Sequence, residues 1–205
     1  MESDGVSLWL QRQLKPLSKS VENAPPEAFS YISLAFSGGA GVLLYFAQAQ
    51  YWPLAALPAA LFLLLRLMSD SFVEMLCSVD HEGRTVNYLV IRLCERLSDL
   101  LPLLCFAFWD SLRIHLVLMA IVSMLLVSYI AEVSRALGAK VGSNGLLCKS
   151  NRIILLIFFC FVYLLRPNAR IADYSVFEVM FALFIPLASI TLLQRMDAAI
   201  SQMRK

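Results

Sequence analysis

Apolar residues gather into long blocks along this chain, and short polar stretches separate the blocks. Several blocks approach the roughly 20 residues that cross a ~30 Å hydrocarbon core as a helix. A β-barrel would instead alternate over strands of about ten residues, whereas runs such as Leu116 to Ile130 are apolar on every side. The pattern therefore predicts an all-α integral membrane protein with six transmembrane helices. The predicted spans are Phe29 to Tyr51, Pro53 to Cys77, Val86 to Phe108, Leu112 to Leu137, Ile153 to Leu165 and Tyr174 to Leu193.

The segment before the first span has a different pattern. Val6 to Val21 mixes apolar residues with basic ones, which is typical of an amphipathic helix lying in the membrane interface. Met1 to Ala28 contains acidic residues and no apolar core, so a cleavable signal peptide is not expected. The predicted organisation is an interfacial helix and linker at 1–28, a six-helix transmembrane domain at 29–195 and a cytoplasmic tail at 196–205.

Basic residues outside the spans are unevenly distributed. The N-terminus, the second and fourth loops and the C-terminus hold most of them, namely Arg12, Lys15, Lys19, Arg84, Arg135, Lys140, Lys149, Arg152, Arg195, Arg204 and Lys205. The opposite side holds Arg113, Arg166 and Arg170. Because cytoplasmic loops carry an excess of Lys and Arg, both termini are predicted to be cytoplasmic.

Composition agrees with a membrane protein. Hydrophobic residues make up 60% of the 205 residues and charged residues 16%, whereas a soluble domain is apolar in about half of its residues. The formal charge of +2 and the scattered basic residues do not indicate a nucleic-acid partner. The cysteines are odd in number and never form C-x-x-C, so they are interpreted as small buried residues. The Gly38-Gly39-x-Gly41 cluster is interpreted as a site of close helix packing.

Charged residues inside the second and third spans form one stripe on each helix. The stripes have spacings of three or four residues and consist of Arg66, Asp70 and Glu74 on the second span, and Arg92, Glu95, Arg96 and Asp99 on the third. A charge facing lipid costs about 2.5 to 3.5 kcal/mol even on the lower scales, so these groups must face each other or water. The stripes fit a polar cavity open to the cytoplasm, and they fit an ion-paired structural seam equally well.

Segments around the stripes resemble a known family. Leu65-Arg66-Leu67, Met75-Leu76, Leu97-Ser98-Asp99 and Lys149-Ser150-Asn151-Arg152 are similar to segments of bacterial CDP-alcohol phosphatidyltransferases. This family transfers a phosphatidyl or related phosphoryl group from a CDP-linked donor to an alcohol. The resemblance implies six transmembrane helices, an interfacial N-terminal helix and a role in phospholipid biosynthesis.

The family signature, D-x2-D-G-x2-A-R-x8-G-x3-D-x3-D, is mostly replaced in this chain. The first acid is kept as Asp70, the second falls on Val73, the third falls on Ile91 and the fourth becomes Glu95. The other signature positions hold Glu74, Cys77, Ser78 and Asn87. In the family the acids hold divalent cations against the donor diphosphate, and the fourth accepts the proton of the acceptor hydroxyl.

These replacements predict a chain that keeps the fold and has lost metal-dependent transfer, and that acts as a lipid-binding or partner subunit. Arg66, Arg92 and Arg96 are then expected to neutralise acids in the former active-site cavity, and Asp99 is expected to belong to the same charge network. The alternative is an active transferase with a rearranged site, in which Asp70 and Glu74 hold Mg²⁺ or Mn²⁺ and Glu95 is the base. A small transporter that uses the same charged stripes is a third possibility.

Two further predictions concern binding partners. By resemblance, Lys149 and Arg152 help to bind the phosphate of a substrate or lipid headgroup; the competing interpretation is simple anchoring at the cytoplasmic surface. By resemblance also, the chain is expected to form a homodimer, or a heterodimer with an intact family member, in a bacterial inner membrane.

Overall fold

The computed structural model describes residues 9–14, 16, 24–48, 52–79, 85–138, 145–167, 169–171 and 173–203. Within these ranges the chain is almost wholly helical. The long helices are α1 (Pro26–Phe46), α2 (Ala56–Val79), α3 (Thr85–Leu104), α4 (Ile114–Ala136), α5 (Lys149–Leu165) and α6 (Val176–Met203). Single 3₁₀ turns precede α2 at Pro53–Ala55 and follow α3 at Cys105–Phe108. Between α5 and α6, the two-residue strands β1 (Arg170–Ile171) and β2 (Tyr174–Ser175) pair antiparallel.

Four of these helices are long and apolar enough to cross a membrane. They are α1, α2 with its preceding turn, α4 and α6, and they confirm the prediction of an integral membrane protein. The other two long helices do not meet the same criteria, because α3 carries the predicted charged stripe and α5 has only 17 residues. Six spans therefore remain a prediction.

Some helix ends differ from the predicted spans. The helix α5 begins at Lys149 rather than Ile153, and α6 continues to Met203, past Leu193 and through most of the predicted tail. Apolar runs mark only the part of a helix that contacts lipid, so helical turns that carry polar residues fall outside such a prediction. At the N-terminus, residues 9–14 and 16 are helical, and the other residues of the predicted interfacial helix lie outside the described residues.

Small residues allow α1 to pack closely against its neighbours. A Cβ atom at Gly39 would lie 2.7 Å from the Phe62 ring of α2, and one at Gly41 would lie 3.0 Å from the carbonyl oxygen of Leu101 in α3. The hydroxyl of Ser37 donates to the carbonyl of Ser98 across the same contact. The glycine cluster therefore has the packing role that the sequence predicts, since both α2 and α3 approach α1 closely at these positions.

The remaining helices complete the bundle. The helix α4 packs on α6, and α5 packs on both α2 and α6. An aromatic cluster closes the end of the bundle where α3 and α5 finish, and it consists of Phe106, Trp109, Tyr163, Phe177 and Phe181. The five cysteines are free thiols; Cys94, Cys148 and Cys160 are buried, as predicted, whereas Cys77 and Cys105 are only partly buried.

Candidate functional site

Three acids and five cations converge between α2, α3 and the start of α5. The acids are Asp70 on α2 and Glu95 and Asp99 on α3, and the cations are Arg66, Arg92, Arg96, Lys149 and Arg152. We call these eight side chains the charged cluster. The predicted stripes on α2 and α3 therefore face each other, and α5 supplies further positive charge.

Asp99 pairs with cations on three helices. Its Oδ1 accepts a hydrogen bond from Arg66 Nη2. Its Oδ2 lies 3.2 Å from Arg152 Nη2 and 3.8 Å from Arg96 Nη1. Arg66 is only 2% exposed, and a buried arginine needs such a partner to offset its desolvation. Asp99 thus joins α2, α3 and α5 through ion pairs.

Glu95 is held by cations on both of its carboxylate oxygens. Lys149 Nζ donates to Oε1 at 2.7 Å, and Arg92 Nη1 donates to Oε2 at 2.8 Å. Arg96 Nη2 lies 4.0 Å from Oε2. A carboxylate paired in this way is stabilised as an anion and has few lone pairs left for another ligand.

Asp70 accepts a hydrogen bond from α1, a helix that contributes no residue to the charged stripes. Ser33 Oγ on α1 donates to Asp70 Oδ1 at 2.6 Å. Lys149 Nζ lies 3.2 Å from Oδ2, and Arg66 Nε lies 3.7 Å from it. Lys149 therefore connects Asp70 with Glu95, and α1 fixes the orientation of the carboxylate.

The helix α4 adds Glu132 at the edge of the cluster. Arg96 Nη2 and Arg135 Nη1 donate to Glu132 Oε1 at 2.7 and 2.8 Å, and Arg92 Nη1 lies 4.0 Å away. Sequence reasoning missed Glu132, because it lies alone at the end of an apolar run. It missed Ser33 as well, because a serine in an apolar helix carries no specific signal.

Glu74 lines the same cavity as Asp70 and Glu95 but is not part of the charged cluster. Its Oε2 accepts a hydrogen bond from Gln11 Nε2 at 3.0 Å, so the N-terminal helical segment contacts the site. Residues 80–84 of the second loop lie outside the described residues.

The two aliphatic residues that replace signature acids lie in the same cavity as the remaining acids. Val73 and Ile91 line it together with Asp70, Glu95 and Lys149. Both aliphatic side chains are less than a tenth exposed. The volume left between these residues is about 20 Å³, which is close to the space that one water molecule requires.

These residues do not fit a divalent cation. Hard cations take several oxygen ligands at about 2.0 to 2.6 Å, whereas Val73 and Ile91 supply none and the carboxylates of the cluster bind lysine and arginine. Within the described ranges, no group of three or more His, Cys, Asp or Glu side chains is placed to hold a metal ion.

The structure brings the predicted site residues together, with Glu74 at the margin. Lys149 and Arg152 are turned into the cluster, and their side chains are 18% and 8% exposed. An anchoring residue would extend its charge to the headgroups. The arrangement is therefore a dense, nearly closed salt-bridge network, and phosphate binding by these two residues remains a prediction.

No protein-family model and no curated protein matches the chain. Solved structures do match, among them two crystal structures of Mycobacterium tuberculosis phosphatidylinositol phosphate synthase (PgsA1). The structure with CDP-DAG bound has a TM-score of 0.63 and 17% identity, over 96% of this chain and 94% of that one. The structure in complex with manganese and citrate has the same TM-score and identity, over 94% of this chain and 88% of that one.

The match extends over nearly the whole of both chains, so it includes the helices that form the charged cluster as well as the aromatic end of the bundle. At this level of identity the similarity is one of fold. It agrees with the family that the segments around the stripes resemble. This chain therefore has the fold of the CDP-alcohol phosphatidyltransferases.

Proposed function

We propose that this chain is a CDP-alcohol phosphatidyltransferase-like membrane protein of phospholipid biosynthesis that has lost metal-dependent phosphatidyl transfer. It acts as a lipid-binding or partner subunit. The observation that carries the proposal is the pairing of Asp70, Glu95 and Asp99 with cations of the protein itself.

Charge balance supports this proposal. In an active site built for metal ions, carboxylates are left free to bind the cations, and the cations neutralise the charge of the diphosphate. Here Lys149 lies between Asp70 and Glu95, where it supplies positive charge without an open coordination position. Lys149 thus stabilises the acids and blocks the approach of a hydrated cation.

The size of the cavity supports it as well. A diphosphate with its metal ions is far larger than the approximately 20 Å³ left beside Val73 and Ile91. Widening the cavity would require separation of the ion pairs that join α2, α3 and α5. Breaking a buried pair costs about 3–5 kcal/mol, so this closed arrangement resists donor binding.

The proposal includes the topology and the partners. We propose six transmembrane spans with cytoplasmic termini in a bacterial inner membrane; the positive-inside pattern and the similarity of fold support this topology. Membrane lipids are the proposed ligands, and Lys149 and Arg152 would bind a headgroup phosphate in competition with Glu95 and Asp99. A homodimer, or a heterodimer with an intact family member, is the proposed assembly.

The decisive test is a transfer assay with the purified chain. The full protein is reconstituted with CDP-diacylglycerol, a panel of candidate alcohols and Mg²⁺ or Mn²⁺, beside an active family enzyme as the positive control. We expect no donor-dependent lipid product and no release of CMP above background. A second assay measures whether the chain co-purifies with an intact family member, or alters its activity, when the two are co-expressed.

One observation favours an active but rearranged site as the second candidate. Asp70, Glu74 and Glu95 all line the one cavity, so a movement of Lys149 would leave three carboxylates near each other. Under this alternative the transfer assay gives product, and Glu95→Gln abolishes it while the protein remains folded. That result would overturn the proposal of lost transfer.

A further inference from the structure

Ion pairs connect ten charged side chains of the described ranges into one network. The network consists of the eight members of the charged cluster together with Glu132 and Arg135 of α4. Its six cations face four carboxylates, so two positive charges remain. Glu74 lines the cavity beside the cluster, and counting its carboxylate still leaves one. Because net charge is costly in a membrane protein, the network favours binding of a further anion.

The network reaches the protein surface at its edge between α3 and α4. The side chains of Arg96, Glu132 and Arg135 are 25%, 35% and 38% exposed, whereas those of the other four cations are 2% to 18% exposed. None of these three residues lines the cavity beside Val73 and Ile91. An anion would therefore reach the network at this edge without entering the former active-site cavity.

The two arginines of this edge converge on a single oxygen atom. Arg96 Nη2 and Arg135 Nη1 donate to Glu132 Oε1 at 2.7 and 2.8 Å, so the two guanidinium groups lie close enough to contact one further group together. Each guanidinium carries five N–H donors, and these bonds use one from each. Guanidinium groups bind phosphate oxygens with paired, charge-assisted hydrogen bonds. A phosphate at this edge would accept from donors that Glu132 leaves unused.

An exposed apolar stripe of α4 leads to this edge. Its members share one helix face at spacings of three and four residues, each is at least 41% exposed, and they are Leu118, Val122, Leu125 and Tyr129. Glu132 is the next residue of the same face, about one turn before α4 ends.

The order of apolar and charged residues along this face matches the order of groups in a phospholipid. In a membrane protein, exposed apolar side chains in the middle of a helix contact acyl chains, and charged side chains near its end lie at the level of the headgroups. A lipid lying along α4 would therefore place its acyl chains on the stripe and its headgroup beside Arg96 and Arg135. This continuity favours a lipid over a free anion.

We infer that the α3–α4 edge binds an anionic phospholipid, whose phosphate contacts Arg96 and Arg135 while its acyl chains lie along the stripe of α4. Basic residues between transmembrane helices on the cytoplasmic side are suited to anionic headgroups. The inference rests on the proposed lipid-binding role, and it assigns a site separate from Lys149 and Arg152. Glu132 competes with the lipid, because its carboxylate accepts from the same two guanidinium groups.

The test measures lipid binding to the full chain in detergent by native mass spectrometry. Phosphatidylglycerol is titrated into the delipidated protein, and phosphatidylcholine is the zwitterionic reference. We expect phosphatidylglycerol to bind about tenfold more tightly or better, because two arginines face a headgroup with net negative charge. An equal concentration of inorganic phosphate should not displace it, since the acyl chains contribute to lipid binding. Displacement by inorganic phosphate would identify a free anion as the ligand and overturn the lipid assignment.

Two variants with opposite expected effects identify the site. Arg135→Gln should weaken phosphatidylglycerol binding about tenfold, because a charge-assisted hydrogen bond is lost. Glu132→Gln should strengthen the binding, because the competing negative charge is removed while the side chain keeps its size. If these residues served the fold alone, Glu132→Gln would not increase the affinity for the lipid.

Arg113→Gln is the matched control for Arg135→Gln. Arg113 precedes the opposite end of α4, is exposed and likewise pairs with a glutamate, Glu178, and its variant should bind the lipid as the wild type does. Equal binding of the two lipids, equal weakening by the control, or no gain in Glu132→Gln would overturn the inference. These measurements decide the lipid site alone, whereas product in the transfer assay would contradict the proposed loss of transfer.

Discussion

Replacement of Lys149 by methionine tests the main physical claim about the charged cluster. Lys149 Nζ lies 2.7 Å from Glu95 Oε1 and 3.2 Å from Asp70 Oδ2. Methionine keeps a similar length without the charge. Afterwards, Glu95 retains Arg92 at 2.8 Å, whereas Asp70 retains Arg66 at 3.7 Å and the hydroxyl of Ser33.

The expected loss of stability follows from this geometry. Removing one partner of a buried ion pair costs about 3–5 kcal/mol. Because Lys149 is 18% exposed and both acids keep another cation, the lower end of about 3 kcal/mol applies. One kcal/mol shifts Tm by about 2–4 °C in a chain of this size, so Tm should fall by roughly 6–12 °C.

The assay is thermal unfolding of the purified protein in detergent, followed by intrinsic fluorescence. Glu95→Gln in the Lys149→Met background should recover part of the loss, since contacting residues show coupling of about 0.5–3 kcal/mol. Arg135→Met is the control, because its pair with Glu132 is partly exposed and should contribute less than about 1 kcal/mol. If Lys149→Met unfolds at the wild-type temperature, or Glu95→Gln recovers nothing, the reasoning is refuted.

The same assay addresses the metal. If Lys149 supplies the positive charge between the acids, Mn²⁺ should leave the Tm of the wild type unchanged. A Mn²⁺-dependent rise in Tm that disappears in Glu95→Gln would show that the acids bind the metal despite their ion pairs. Stabilisation by a ligand follows its affinity for the folded state, so titration with Mn²⁺ would give that affinity directly.

Three further predictions use the same unfolding assay or hydrogen exchange. Gly41→Ala should destabilise the protein by about 1–3 kcal/mol, because its Cβ atom would overpack against the α3 backbone. Gly38→Ala is the control and should be neutral, since its Cβ atom would meet only a side-chain atom at 3.8 Å. Equal effects of the two variants would contradict the described packing. Ser33→Ala should lower the free energy of unfolding by about 1–3 kcal/mol, because Asp70 loses its hydroxyl donor in a buried site. An unchanged Tm would argue against that hydrogen bond. Glu178 Oε2 accepts from the backbone N–H of Ser175 and Ser175 Oγ accepts from that of Glu178, so the two residues form a capping box at the start of α6. Glu178→Ala removes it and should speed amide exchange in the first turn of α6; unchanged exchange would show that the cap contributes little.

The main features of the fold were predictable because the bilayer imposes them. Apolar runs long enough to cross the hydrocarbon core mark α1, α2, α4 and α6, and no tertiary information is needed to see them. The start of α5 could not be placed in this way. Lys149 and Arg152 belong to the helix because acids of α2 and α3 pair with them, and a linear pattern does not show those partners.

The charged cluster was partly predictable, because charged residues in apolar helices must pair with one another. The spacing of Arg66, Asp70 and Asp99 places them on helix faces that meet in the structure. The contact of Glu132 with the charged cluster could not be predicted, since it depends on how α4 packs. Glu178 could have been found, because Ser175-x-x-Glu178 is a capping-box pattern directly before an apolar run.

The order in which the residues of the charged cluster are synthesised has a consequence for biogenesis. As α3 leaves the ribosome, α2 is already available to pair with it, but Lys149 and Arg152 are synthesised only after α4. Until then Glu95 lacks its lysine and Asp99 lacks one arginine, so both acids have fewer cationic partners in a setting where charge is costly. A nascent chain that ends after α4 should therefore hold α3 loosely in the membrane, and stable integration should await the synthesis of α5.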